Sequence, residues 1–252
     1  MKHAQINGAK TNIYLNRKYS FYELYVKRLL DIICSLGAIV VFGWLYILVA
    51  ILVRVKLGSP VLFKQPRPGK IDPKTGREKI FCMYKFRTMS DERDENGKLL
   101  PDEIRLGKFG KALRATSLDE LPEAFNILRG EMTLIGPRPQ LVRDLVFMTD
   151  EQRMRHTAKP GLSGLAQVNG RNDITWEEKL NWDLKYIKNI SFIGDLKIVF
   201  QTVIKAFVKQ EGITDGDMAT AYDYGDWLLK TGAVSEEEYN EKMQKAGKLL
   251  EV

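Results

Sequence analysis

Arg114 precedes the adjacent carboxylates Asp119 and Glu120, and beyond them Arg138 stands between Pro137 and Pro139. Arginine meets phosphate oxygens as a planar fork. A carboxylate can hold Mg²⁺ against a phosphate or attack phosphorus itself. Proline fixes φ, so Pro137-Arg138-Pro139 is stiff and aims its guanidinium. Together these residue types suit chemistry on a phosphorylated, metal-bound substrate.

A structural reading competes. Ser117-Leu118-Asp119-Glu120 also has the spacing of a capping box, with Ser117 as N-cap. Pro122 would then clash inside the helix, whereas a helix beginning at Pro122 has Leu121 as a poor cap. Both registers put the carboxylates near a helix N-terminus, where the dipole and nearby Arg114 predict that Asp119 stays ionised.

The elements that must position these groups follow from the rest of the chain. Its 252 residues, 44% hydrophobic and 28% charged, suffice for a large ordered domain. A net charge of +7 calls for an anionic partner. Two cysteines, Cys34 and Cys82, and two histidines, His3 and His156, argue against a disulfide framework, a zinc site or a histidine-based triad. No phosphate-binding GxxxxGK[ST] loop occurs.

Ile32 to Val53 is 22 residues without a charge, about the length of a spanning helix. Lys27 and Arg28 precede it, and Arg54 and Lys56 follow it. Basic residues at both ends predict a segment that enters a bilayer and returns on the same side, with a simple span as the rival. Tyr19, Phe21, Tyr22 and Tyr25 form an aromatic collar before it.

Val61–Phe63 and Ile80–Tyr84 read as short strands joined by a basic, turn-rich loop. Helices are expected over Ile104–Arg114, Glu123–Leu128, Gln140–Arg155, Trp176–Ile190, Ile193–Val208 and Ser235–Leu250. Pro160–Gly164 reads as a loop and Ala166–Val168 as an extended piece. The stripe Trp176, Leu180, Leu184, Ile187 and the stripe Leu196, Val199, Phe200, Val203 are read as interfacial helices lying on a bilayer, with core packing as the alternative. His156 reads as part of a solvated basic face and Cys82 as a small core residue. Without further information, Lys85 and Arg87 are the solvated end of a strand.

Several ordered stretches resemble the bacterial sugar transferase family of monotopic phosphoglycosyl transferases. They are Lys27-Arg28-Leu29-Leu30-Asp31, Val61-Leu62-Phe63-Lys64-Gln65, Tyr84-Lys85-Phe86-Arg87-Thr88-Met89, Ser117-Leu118-Asp119-Glu120-Leu121-Pro122, Gly136-Pro137-Arg138-Pro139, Pro160-Gly161-Leu162-Ser163-Gly164 and Gln167-Val168-Asn169-Gly170-Arg171. The resemblance implies an α+β fold, mostly helical, with a re-entrant membrane helix, interfacial helices and a small β element. It divides the chain into an arm (1–26), a membrane helix (27–57), a cytoplasmic catalytic domain (58–209) and a C-terminal extension (210–252).

It also implies transfer of a sugar-1-phosphate from a UDP-sugar to polyprenol phosphate at the cytoplasmic face of the bacterial inner membrane, with release of UMP. Asp119 would be the covalent nucleophile, and Glu120 with Asp119 would hold Mg²⁺. Lys85, Arg87, Arg114, Arg138 and Arg171 would neutralise phosphate charge, and Asp195 matches a further acidic position. The lipid bilayer is an expected partner, nucleic acid is not, and a homodimer is left open. One departure stands out: Gly43-Trp44 replaces the Ser-Pro that commonly kinks the family's membrane helix. Rival readings are a basic membrane-surface module that binds lipid or nucleic acid without catalysis, and a membrane-tethered structural subunit; neither needs the acidic pair.

Overall fold

The uncharged run from Ile32 to Val53 lies in two helices. In a computed structural model that describes residues 17–170, 174–205 and 222–250, α1 (Lys27–Val41) follows a π-helical turn at Tyr22–Val26, and α2 (Gly43–Leu57) follows the break at Phe42. The two limbs are bent by 64°. The missing proline is therefore not needed for a break. Phe42 leaves helical geometry at φ −98°, ψ 13°, and its carbonyl accepts from both Leu45 N and Tyr46 N. Gly43, a weak helix former, comes next. Arg171 lies outside the described residues.

The two limbs bury opposite chemistry. Within α1 only Asp31 and Ser35 are buried, while Leu29, Ile33, Leu36 and Val40 are exposed. Asp31 Oδ1 accepts from Thr133 Oγ1 and Leu134 N, both at 2.9 Å. Within α2, Val49 and Val53 pack with Phe86 and Leu113, while Trp44, Ile47, Ile51 and Val55 are exposed.

An antiparallel ribbon follows, β1 (Leu62–Ile71) with β2 (Glu78–Phe86), and Leu62 pairs with Phe86. It is longer than the sequence suggests. Pro66 and Pro68 belong to β1 rather than to a loop, which a two-stranded ribbon tolerates because it is all edge. Alternation along β2 turns Phe81, Met83 and then Lys85 to one face. The Ile104–Arg114 helix is split at Leu106-Gly107 into α3 (Asp102–Arg105) and α4 (Lys108–Ala115). Next come a 3-10 turn at Leu118–Glu120 and α5 (Glu123–Arg129). Arg28 donates to the carbonyls of Ile127 and Leu128, each at 2.7 Å, in the last turn of that helix, where Gly130 N also donates to Ile127 O.

The Pro160–Gly164 loop contains a strand. β3 (Thr133–Ile135) and β4 (Gly161–Ser163) pair in parallel. A Cβ on Gly136 would lie 2.4 Å from Lys159 O, so only glycine lets the two segments approach. The expected Gln140–Arg155 helix is broken into 3-10 turns at Val142–Val146 and Met154–Thr157, separated by α6 (Asp150–Arg153). Thr149 restarts the chain there as an N-cap, accepting from Gln152 N. Ala166–Val168 is not extended but belongs to α7 (Leu165–Gly170).

The two amphipathic helices part company. α8 (Trp176–Lys188) buries Trp176, Leu180, Leu184 and Ile187, so for this helix core packing replaces the interfacial reading. α9 (Phe192–Ile204) leaves Leu196, Val199, Phe200 and Val203 exposed. α10 (Tyr224–Lys230) and α11 (Glu236–Leu250) close the chain. Tyr224 and Leu228 pack with Val142, Leu145, Trp176 and Leu180. The architecture is α+β and mostly helical.

Gly136→Ala tests the tight approach before the Pro-Arg-Pro stretch. The added methyl meets backbone that cannot swing away, so a loss at or above the upper end of the usual 1–3 kcal/mol, about 3 kcal/mol, is expected in detergent-solubilised unfolding. An unchanged unfolding midpoint would count against it.

Candidate active site

Pro137-Arg138-Pro139 is held by all three of its carbonyls. Pro137 O accepts from Gly161 N at 3.0 Å, Arg138 O from Arg155 at 2.6 Å and Pro139 O from Arg67 at 3.1 Å. Arg155 is itself fixed by Asp183 Oδ2, with both residues buried. From this support Arg138 donates to Glu120 Oε1 at 2.8 Å, and 42% of its side chain remains exposed.

Glu120 receives a second cation. Lys85, at the inward-facing end of β2, donates to the same Oε1 at 2.7 Å and lies 3.2 Å from Glu123 Oε1. Burial works against the Glu120 charge, but Arg138 and Lys85 outweigh it and hold the carboxyl well below its ordinary range. Glu123, 2% exposed, has the opposite balance. Burial, then the neighbouring Glu120, push it to about 7, and its Oε1 accepts no hydrogen bond.

Asp119 is also buried, but its carboxylate has no hydrogen bond or ion pair among the described residues. It lies in the fields of Lys85, Arg114 and Arg138 without touching them. Burial and Glu120 outweigh those cations and raise Asp119 to about 6. The expected influence of Arg114 is present but is not dominant. At pH 7 such a carboxyl is still about tenfold more ionised than protonated. The capping box does not form. Ser117 is left-handed at φ 55° and makes no side-chain cap, and α5 starts after Pro122 instead. The proline thus occupies its comfortable place before the first helical turn, which leaves Asp119 and Glu120 in a separate 3-10 turn.

Arg114 reaches the cluster from α4, where a Cβ on Gly110 would strike Thr88 O at 2.0 Å. That close packing lets Arg114, one turn later, donate from Nε to Thr88 Oγ1 at 3.1 Å. Arg87 is engaged elsewhere. It donates to Leu57 O and to Ser59 O and pairs with Asp91, so it fastens the exit of α2. Asp195 accepts from Tyr22 at 2.7 Å, from Tyr186 at 2.8 Å and from Lys27. It ties the collar to α8 and is not gathered with Asp119. The structure therefore unites Asp119, Glu120, Lys85, Arg114 and Arg138.

Sequence reading missed three supporting residues. Arg67 repeats the Pro-Arg-Pro pattern of Arg138, a signal that was there to be used. Burial, and then Arg138, lower its pKa to about 10. Glu123 and Arg155 carried no comparable signal. His156 is not solvated but 4% exposed between Arg155 and Glu78, and burial lowers it to about 4.

The model of the bacterial sugar transferase family matches residues 22–209. A protein of Bacillus subtilis named uncharacterized sugar transferase EpsL is 46% identical over 79% of the chain and 95% of its own length. The UDP-glucose:undecaprenyl-phosphate glucose-1-phosphate transferase of Klebsiella pneumoniae is 36% identical over 82% of the chain. The undecaprenyl-phosphate galactose phosphotransferase of Salmonella typhimurium is 33% identical over 75%. The matched part spans only 45% and 41% of those two longer relatives.

The raised Asp119 carries a stability consequence. A folded pKa of about 6 against 3.8 means that the folded state prefers the proton. Its favourable contribution is full below pH 3.8 and is lost as pH rises through 6. Asp119→Asn should raise unfolding free energy at pH 7.5 by up to about 3 kcal/mol, with the gain vanishing near pH 4. A variant less stable than wild type at pH 7.5 would contradict the buried, unpaired carboxylate.

Proposed function

Because the chain belongs to the bacterial sugar transferase family, we propose that it transfers a sugar-1-phosphate from a UDP-sugar to polyprenol phosphate through a covalent intermediate on Asp119. The observation that carries this reading is the division between two adjacent carboxylates. Glu120 takes the bonds from Lys85 and Arg138, and Asp119 keeps its oxygens unbonded among the described residues, within the same positive field. The names of the Klebsiella and Salmonella relatives support the substrate classes.

In the first step an Asp119 oxygen attacks the phosphorus that bears the sugar. The bond from that phosphorus to the bridging oxygen breaks, and UMP leaves with the electron pair. In the second step an oxygen of polyprenol phosphate attacks the same phosphorus and releases the Asp119 carboxylate. One transfer becomes two displacements. Arg138, held rigidly and partly exposed, can meet the phosphate oxygens without reorganising, and Lys85 and Arg114 add positive charge around the reacting phosphorus.

Among the described residues no three His, Cys, Asp or Glu side chains are arranged to cage a metal by themselves. Mg²⁺ bound together with substrate phosphates and water needs only one or two protein carboxylates, so the donor set fits it. Asp119 and Glu120 would hold it. When bound, it would neutralise charge on the diphosphate.

The membrane reading rests on exposed apolar surface. Among the described residues no single helix is long and apolar enough to cross a bilayer, but the bent pair passes that test together. Each 15-residue limb is roughly 22 Å long, short of a hydrocarbon core of about 30 Å. α1 turns its polar residues inward and its apolar ones outward, the reverse of a soluble helix. We read the pair as re-entrant, with α9 lying on the surface and the site on the cytoplasmic side.

UDP-sugar alone should release up to about one UMP per enzyme, with ping-pong kinetics once polyprenol phosphate is added. Asp119→Asn should abolish the adduct and lower turnover by at least about a thousandfold, whereas near wild-type transfer would reduce Asp119 to a structural role. The rate should fall below about pH 6 as Asp119 takes up a proton. EDTA should stop turnover and Mg²⁺ restore it, and full activity in chelator would remove the metal from the scheme. For topology, Lys18→Cys and Ser59→Cys, each placed singly in a Cys34→Ser/Cys82→Ser background, should label from the same side of inverted vesicles. Labelling from opposite sides would establish a true span.

A further inference from the structure

A second cluster of cations lies at the collar, around a cavity of about 160 Å³ lined by Lys27, Arg28, Lys70, Lys159 and Glu23 among others. Its charges are unevenly matched. Lys27 is paired with Asp195, and Glu23 with Arg17. Arg28 is spent on the carbonyls at the end of α5, and Asp31 on Thr133 and Leu134. Lys70 and Lys159 have no carboxylate within ion-pair distance among the described residues. Lys70 only lies over the Tyr19 ring, at 4.4 Å.

These two lysines also repel. Burial lowers the pKa of Lys70, and Arg17 and Lys159 lower it further against the pull of Glu23. Burial lowers Lys159, and Arg28 adds to that against the pull of Asp31. A half-buried ammonium group among other cations is unfavourable unless an anion joins it.

The surroundings indicate what kind of anion. Leu24 lines the cavity and is 51% exposed, and Phe21 and Tyr25 beside it are 73% and 63% exposed. Phe192 at the start of α9 touches Tyr22 edge-on and is also exposed. An anion seated here has apolar surface at its side, as a phosphate carrying acyl chains would require. Soluble phosphate has no use for that surface. We propose that the Lys70–Lys159 cavity binds the headgroup phosphate of an anionic phospholipid, at a site separate from Asp119. The phosphate would lie between the two ammonium groups, with the acyl chains running past Leu24 and the aromatic collar. The inference rests on the membrane-surface reading above but not on the transfer reaction.

The test uses the full-length chain and five probes: vesicles of phosphatidylcholine with and without phosphatidylglycerol, polyprenol phosphate in phosphatidylcholine, inorganic phosphate, and short-chain phosphatidylglycerol. The wild type is compared with a Lys70→Gln/Lys159→Gln variant by vesicle co-sedimentation, and by thermal shift for inorganic phosphate and short-chain phosphatidylglycerol. Phosphatidylglycerol should tighten wild-type binding at least about tenfold, and the variant should lose most of that gain while still binding neutral vesicles. If the variant keeps the whole gain, the site assignment fails and the membrane reading stands. If neither protein binds any vesicle, both fail. If inorganic phosphate stabilises the wild type as strongly as short-chain phosphatidylglycerol at equal concentration, the lipid assignment is overturned. If polyprenol phosphate is preferred more than tenfold, the cavity is the acceptor's berth and the phospholipid assignment is overturned. A variant that no longer unfolds cooperatively is replaced by Lys159→Gln alone, which should lose about half of the gain in free energy.

Discussion

Three successive carbonyls, those of Pro137, Arg138 and Pro139, are each tied to a different part of the molecule. Proline removes two of the three backbone donors here and fixes two φ angles, so carbonyl bonding is the main way to immobilise the stretch. Gly161 supplies β4, Arg155 brings the buried Asp183 of α8, and Arg67 brings β1. The parallel pair, the ribbon and a core helix therefore converge on the backbone that presents one guanidinium. Preorganised charge is effective in catalysis because it does not reorganise during the reaction.

The electrostatics extend that constraint. Two cations share one oxygen of Glu120, and the positive field they create is felt by neighbours they do not contact. Three carboxyls within five residues of sequence come to differ widely. Glu120 is held charged, Asp119 is raised to about 6 and Glu123 to about 7. The difference lies in their partners more than in their burial. Glu120 has two donors on one oxygen, Glu123 has a lysine nearby with poor hydrogen-bond geometry, and Asp119 has neither.

Much of this was legible in the chain. The types and spacing of Arg114, Asp119, Glu120 and Arg138 singled out residues that the fold brings together, and the uncharged run with basic flanks singled out the segment that forms the bent helix pair. What was not legible depends on tertiary neighbours. The α8 stripe looked suited to a membrane surface, yet Trp176 and Leu180 are covered by Tyr224 and Leu228 from the far end of the chain, which no local pattern reveals. Arg87 and Asp195 matched family positions, but their partners in the fold are the exit of α2 and the collar. His156 is buried against Glu78, 78 residues away. Periodicity could not foresee that β4 would find β3, because a three-residue strand has too few side chains to show alternation.

The hydrogen bond from Tyr46 to Leu121 O, at 2.6 Å, joins α2 to the chain just after the turn that carries Asp119 and Glu120. Arg28 caps α5, Asp31 accepts from β3, and Val49 and Val53 complete a core with Phe86 and Leu113. The apolar helix pair is thus not a detachable appendage. Cutting it away would leave the end of α5 without its Arg28 donors, an orphaned strand amide at Leu134 and an opened core beside the turn that carries Asp119 and Glu120. The two helical limbs and the domain behind them share one set of contacts, so a truncation through Leu57 would remove part of the core of what remains. Substitutions on the outward faces of α1 and α2 touch none of these contacts, whereas changes to their inward residues reach the core.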